Sequence, residues 1–325
     1  ASLNNDSLFA DSLDTLDLSG NWIDAITPGT FGRLARLAHL RLEYNRIGAV
    51  RQGAFLGLHS LSTLALFANQ IQTIEPGAFS PLGQLTELEL AANRIEAIAN
   101  QTFAGLARLA RLSLASNRVR SLEPGCFGTT SMPRLTELSL GSNQIGEDTL
   151  VAGLAGSSSL ISPAALVRRL DLTNNWIELL PTDAFASLTS LSRLLVRFSR
   201  LRTLEAYAFR GLRQLTELDL GHNELDSLQN GSFAGLHSLR KLYLFGNRIR
   251  SVPGHAFLGL VRLTSLYLDQ NRIERVESSQ SFAGLASLEE LYFAGNAVQS
   301  LVAGAFSGLA GAPIRSLKLA SIGLC

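Results

Sequence analysis

One phrase returns along this chain at a step of about 24 residues, and nothing else in the sequence constrains its fold as strongly. Its clearest copy spans residues 85–108. There Leu85, Leu88, Leu90, Ile95, Ile98, Phe103 and Leu106 recur at fixed offsets, with Asn93 near the middle. Full copies open at Leu13, Leu37, Leu61, Leu85, Leu109, Leu135, Val167, Leu191, Leu215, Leu239, Leu263 and Leu288, and a shortened one at Ile314. A repeat of this kind makes a solenoid, in which each unit packs only on its neighbours. The 325 residues therefore need no division into several globular domains. Residues 1–12 read as a lead-in or partial cap, and 13–325 as the solenoid.

Within each copy the opening segment alternates as Leu-x-x-Leu-x-Leu, the period-2 mark of a short strand with one buried face. An asparagine column follows: Asn21, Asn45, Asn69, Asn93, Asn117, Asn143, Asn175, Asn223, Asn247, Asn271 and Asn296. An amide both donates and accepts, so each is expected to satisfy turn backbone in its own and the next coil, sparing buried amides from going unpaired. Ser199 and Ile322 interrupt the column, and both places should be locally weaker. The back half of eleven units carries a phenylalanine, from Phe31 to Phe306, expected to stack as an aromatic spine behind the sheet. Pro-Gly pairs such as Pro76–Gly77 and Pro124–Gly125 set tight turns just ahead of it.

The pattern Leu-x-x-Leu-x-Leu-x-x-Asn-x-Ile-x-x-Ile-x-x-x-Ala-Phe-x-x-Leu-x-x resembles the leucine-rich repeat family. It is most similar to the 24-residue subclass of extracellular animal proteins such as Toll, Slit and the variable lymphocyte receptors. The resemblance implies an α/β repeat protein: a right-handed, horseshoe-shaped solenoid with a concave parallel β-sheet, an irregular convex side and a protein-binding function. Three departures stand out. The cysteine-rich caps usual in extracellular members do not occur in the sequence. The sixth unit is lengthened around Gly153–Ala164. The unit after it, from Leu170 to Ile177, echoes the first, from Leu16 to Ile23, so the array reads as two blocks with a break at 146–166.

Several function classes recede. The formal net charge of +1 supplies no concentrated positive surface for nucleic acid. No apolar stretch reaches the 18 residues a membrane helix needs, and this segment is expected to make no membrane contact. No signal-peptide pattern precedes residue 1, as in a mature secreted chain or an excised segment. The histidines His39, His59, His222, His237 and His255 show no metal-ligand spacing, and no nucleophile elbow, phosphate loop or calcium loop occurs. The expectation is a non-enzyme without cofactor or metal. Cys126 and Cys325 lie eight repeats apart, about 40 Å at strand spacing, too far to bridge. Cys126 takes a slot held elsewhere by Ala54, Ala78 and Ala256, so it reads as a small buried residue.

The outward-pointing positions of the sheet carry the functional expectation. In one column the units supply Asp171, Leu195, Asp219, Tyr243, Tyr267 and Tyr292. Phe245 and Arg197 share a second column, while Arg169, Arg193 and Lys241 line the other side. An exposed tyrosine ladder edged by charge is the composition of binding hot spots, although cross-strand aromatics also stabilise sheets without a partner. Asp171, Arg197, Asp219, Tyr243, Phe245, Tyr267 and Tyr292 are the expected ligand-binding residues, with Tyr44 and Phe67 as a secondary patch. Trp22 and Trp176 read as turn packing. Asn5, Asn100 and Asn230 open glycosylation sequons that avoid the asparagine column.

The sequence thus points to the ligand-recognition ectodomain of a secreted or cell-surface receptor, adhesion or immune-type protein, with a protein ligand. The alternative is an intracellular or bacterial scaffold or effector segment; an inhibitory solenoid acting on an enzyme is a third class. Apolar ends, as near Leu319–Leu324, make a homodimer conceivable.

Overall fold

The computed structural model describes residues 12–128, 132–154 and 166–321. The lead-in up to Asp11, with Asn5, most of the 153–164 insertion, Ile322 and Cys325 lie outside the described residues. The chain divides into two compact units, Ala1–Ile145 with Ala152–Val167, and Gly146–Val151 with Arg168–Cys325.

The first unit stacks three-residue parallel strands at Thr15–Asp17, His39–Arg41, Thr63–Ala65, Glu87–Glu89, Arg111–Ser113 and Glu137–Ser139. Leu16, Leu40, Leu64, Leu88, Leu112 and Leu138 stand opposite one another in register. The second unit repeats the arrangement at Arg169–Asp171, Arg193–Leu195, Glu217–Asp219, Lys241–Tyr243, Ser265–Tyr267, Glu290–Tyr292 and Ser316–Lys318. In both, the alternation predicted from the leucines holds: the central leucine of each strand from Leu40 to Leu291 is buried, whereas Leu16 is half-buried and Leu317, in the last strand, is exposed. Each unit is a turn-rich parallel-sheet solenoid with little helix. The one α-helix among the described residues, Glu147–Leu154, lies within the lengthened sixth repeat. Leu150 and Leu154 bury that helix against the core, and Glu147 and Asp148 suit its positive end.

The back of the coils is more regular than expected. Two-residue strands pair there, Ala49–Val50 with Thr73–Ile74 and Ser251–Val252 with Arg275–Val276, so part of that side is also a hydrogen-bonded ladder. Behind it runs the phenylalanine spine. Ring centroids of Phe55, Phe79, Phe103 and Phe127 lie 5.8, 6.2 and 6.2 Å apart, nearly parallel, and Phe185, Phe209, Phe233 and Phe257 continue the pattern in the second unit. Cys126 is buried in a slot that coils further along the array fill with alanine, and burial pushes its thiol up to about 12.

The asparagine column joins each coil to the preceding one, not to the next. Asn93 Nδ2 donates to Leu66 O of the coil before and to Leu90 O of its own, both at 3.0 Å, while its Oδ1 accepts from Ile71 N at 2.9 Å. The residue ahead of each asparagine turns left-handed, with φ between 52° and 68° from Gly20 to Gly295. Ala68, Ala92, Phe198 and His222 all accept that conformation, at a cost on the order of 1 kcal/mol each for a residue with a Cβ. At the Ser199 gap the short hydroxyl reaches Leu172 O and Arg197 O, and Asn223 Oδ1 accepts from both Ser199 N and Leu201 N. Arg200 there adopts a second left-handed conformation, φ 61°.

Candidate functional site

The column order read from the sequence is the register of the sheet: Asp171 faces Leu195, then Asp219, Tyr243, Tyr267, Tyr292 and finally Lys318. Strand spacing brings successive tyrosine rings face to face, 4.5 Å between centroids with planes 18° and 14° apart. Lys318 closes the far end, its ammonium 4.7 Å from the Tyr292 ring centre. The ring faces are therefore engaged with one another, and edges and hydroxyls turn outward. Burial, with Tyr243, Tyr292 and Glu290 nearby, pushes the Tyr267 phenol up to about 12. Tyr243 is raised as well, by burial and by Glu217 and Asp219.

The other end is richer than the sequence suggested. Phe245 meets Tyr243 edge-on at 6.2 Å and His222 edge-on at 4.9 Å, and His222 stacks on Phe198 at 4.6 Å. Phe198 and His222 were missed because they occupy the left-handed position before the asparagine column, which reads as turn. Tyr44 holds the same position in an earlier unit and was the available signal. Two glycines make room for these rings: a Cβ on Gly221 would stand 2.8 Å from the Phe245 ring, and one on Gly246 would stand 2.6 Å from His222 Nδ1.

Arg197 lies 5.3 Å from both the Phe198 and Phe245 ring centres and pairs with Asp219 at 3.6 Å. Asp219 is buried, and its Oδ1 also accepts from Gly221 N, so it holds Arg197 in place and offers solvent little. Burial raises its carboxyl against the opposing effects of that hydrogen bond and of Arg197. Arg193 pairs with Glu217 at 2.9 Å, and Ser265 Oγ donates to Glu290 at 3.0 Å. Arg197, Asp219, Tyr243, Phe245, Tyr267 and Tyr292 thus form one connected group. Asp171 stands apart at the start of the column, its Oδ1 accepting from Thr173 N.

In the first unit Tyr44 and Phe67 do meet, edge to face at 5.4 Å. The tryptophans are not packed into the turns: Trp22 is 74% exposed with Arg46 lying 3.7 Å over its ring, and Trp176 is exposed with Arg200 at 5.9 Å. The next coil offers a guanidinium, not an apolar slot, so the indoles stay at the surface. Asn100 and Asn230 are exposed on turns away from the sheet face. Among the described residues no group of three or more His, Cys, Asp or Glu could hold a metal ion, and no helix is long and apolar enough to cross a membrane.

The family profile described as leucine rich repeat matches in overlapping stretches over residues 2–145 and 189–321. The chain belongs to the leucine-rich repeat family, whose solenoids are protein-interaction modules. No curated protein matches it at a significant level in sequence. Among solved structures it resembles the leucine-rich repeat domain of APL1B, at TM-score 0.69 and 22% identity over 89% of this chain and 77% of that one. It also resembles an internalin (inlF) from Listeria monocytogenes, at TM-score 0.56 and 20% identity over 94% and 87%. A third is the plant peptide hormone receptor RGFR1 in complex with RGF2, at TM-score 0.57 and 21% identity over 96% of this chain and 52% of that one. At these identities the likeness is one of fold.

Proposed function

We propose that the chain is the ligand-recognition segment of a secreted or cell-surface protein, binding a protein ligand on the outward sheet face of its second unit. The connected aromatic group from Phe198 through Tyr292 carries this reading. Solvent-facing rings in such number are costly for solubility when unused, and tyrosine buries large area while losing few rotamers. Backbone ladders and the asparagine column fix the rings in advance, so little entropy is lost on docking. A similar structure, the hormone receptor RGFR1, holds RGF2, which supports the recognition reading. The exposed sequon asparagines Asn100 and Asn230 lie off the sheet and favour the secretory route.

One observation favours an intracellular scaffold: Cys126 is a buried free thiol, as suits a reducing compartment. Glycan occupancy at Asn100 and Asn230 after expression in secreting cells separates the two. The binding reading is tested by ligand capture from cell surfaces with wild type and with a Tyr243/Tyr267/Tyr292→Ser variant shown folded by circular dichroism. Capture by the wild type and its loss in the variant are expected; equal capture by both means the ladder is sheet packing alone.

A further inference from the structure

Asp269 was no part of the expected site, yet it lies inside it. Gly246 N donates to Asp269 O and Gln270 N to Ala294 O, which places Phe245, Asp269 and Ala294 in one column beside the tyrosine stack. Phe245 leans back over Gly221, and the neighbours on the other side, Ala294 and Gly295, are small. The Asp269 carboxylate therefore sits on a low shelf, walled by the Tyr267–Tyr292 stack along one side and closed by Phe245 and His222 at one end.

No ion pair to Asp269 occurs among the described residues, and three cations of the same face are engaged elsewhere. Arg197 pairs with Asp219, Arg193 with Glu217, and Lys318 caps Tyr292. We propose that Asp269 and the adjoining Tyr267–Tyr292 stack form an anchoring site for a basic side chain, arginine or lysine, of the protein partner. The proposal rests on the recognition reading above and names the chemistry recognised. Its alkyl stem would lie on ring edges while its charged end meets the carboxylate. Lys318 already shows the stack accepting a cation against its outer ring.

The local field agrees in sign. Burial raises the Asp269 carboxyl, and its own backbone N–H and His222 offset that only in part. Glu217, Asp219 and Glu290 each raise the phenol of Tyr243. An anionic ligand group would meet these carboxylates; a cation would relieve them.

Random peptides displayed on phage and selected on the full chain supply the probe. Sequences enriched on wild type and lost on the Tyr243/Tyr267/Tyr292→Ser variant are synthesised and titrated calorimetrically. Each is then tested in a double-mutant cycle between Asp269→Asn and replacement of the peptide's arginine by neutral citrulline. The expected result is a shared arginine or lysine, a loss of about tenfold for either change alone, and little further loss for both together. Ladder-dependent peptides without a basic residue, or with additive losses, overturn the Asp269 site and leave the recognition reading standing. If no peptide depends on the tyrosines, the recognition reading fails and this inference with it.

Discussion

At the scale of single residues, burial without a counter-charge is the recurring theme, and it fixes the sign of each titration. The Asp269 carboxyl is raised, so its ionised form is disfavoured in the folded chain above that pKa, and the penalty disappears as pH falls below the unfolded value. Asp269→Asn should therefore melt no lower than wild type at neutral pH, with any advantage vanishing under acid; a large loss of stability at pH 7 would contradict this. Tyr267 follows the same sign on the alkaline side. Its phenol, held up to about 12, stays protonated in the folded state while the unfolded chain ionises near 10, so stability falls as pH rises between those values. Tyr267→Phe should flatten that fall in alkaline melting curves. The tyrosine register was legible because the repeat step places Tyr243, Tyr267 and Tyr292 one above the other. The shelf was not: where Phe245 and His222 lean depends on the missing Cβ atoms of Gly221 and Gly246, and Asp269 draws meaning only from those neighbours.

The repeat element owes its stability to satisfied polar groups as much as to leucine burial. Asn93 serves three carbonyls and one N–H across two coils, all buried. Removing the amide leaves those groups unpaired, so Asn93→Ala should cost on the order of 3 kcal/mol in urea unfolding. The same logic marks Ser199, whose hydroxyl is too short to repeat the pattern and whose coil needs a second left-handed residue at Arg200. Ser199→Asn should raise stability by about 1 kcal/mol, and an unchanged urea midpoint would show that the coil has already settled around the serine. The sequence identified this column and its gap, since one residue type recurs at one offset. The direction of the link, back to the preceding coil, was not readable, because spacing alone does not tell which neighbour an amide faces. The short ladders behind the sheet escaped for a different reason: two residues per coil, among varied polar neighbours, leave no periodic signal.

For the whole chain, the division into two compact units bears on how stability and binding are shared. In a solenoid each coil leans on its nearest neighbours, so damage spreads locally and fades with distance along the array. Asn93 belongs to the first unit, whereas every member of the aromatic group, from Phe198 to Lys318, belongs to the second. Asn93→Ala should therefore hasten amide hydrogen exchange in strands such as Glu87–Glu89 and Arg111–Ser113 while leaving Lys241–Tyr243 and Ser265–Tyr267 at wild-type protection. Ladder-dependent peptides should bind that variant with unchanged affinity. Asn247→Ala, in the coil that carries Tyr243 and Phe245, should do the reverse, since its amide joins Leu220 O to Leu244 O at 3.0 and 2.9 Å beneath those rings. Faster exchange across both units from either substitution would mean that the chain unfolds as one cooperative body, and that rigidity of the recognition face is set by all of its coils together.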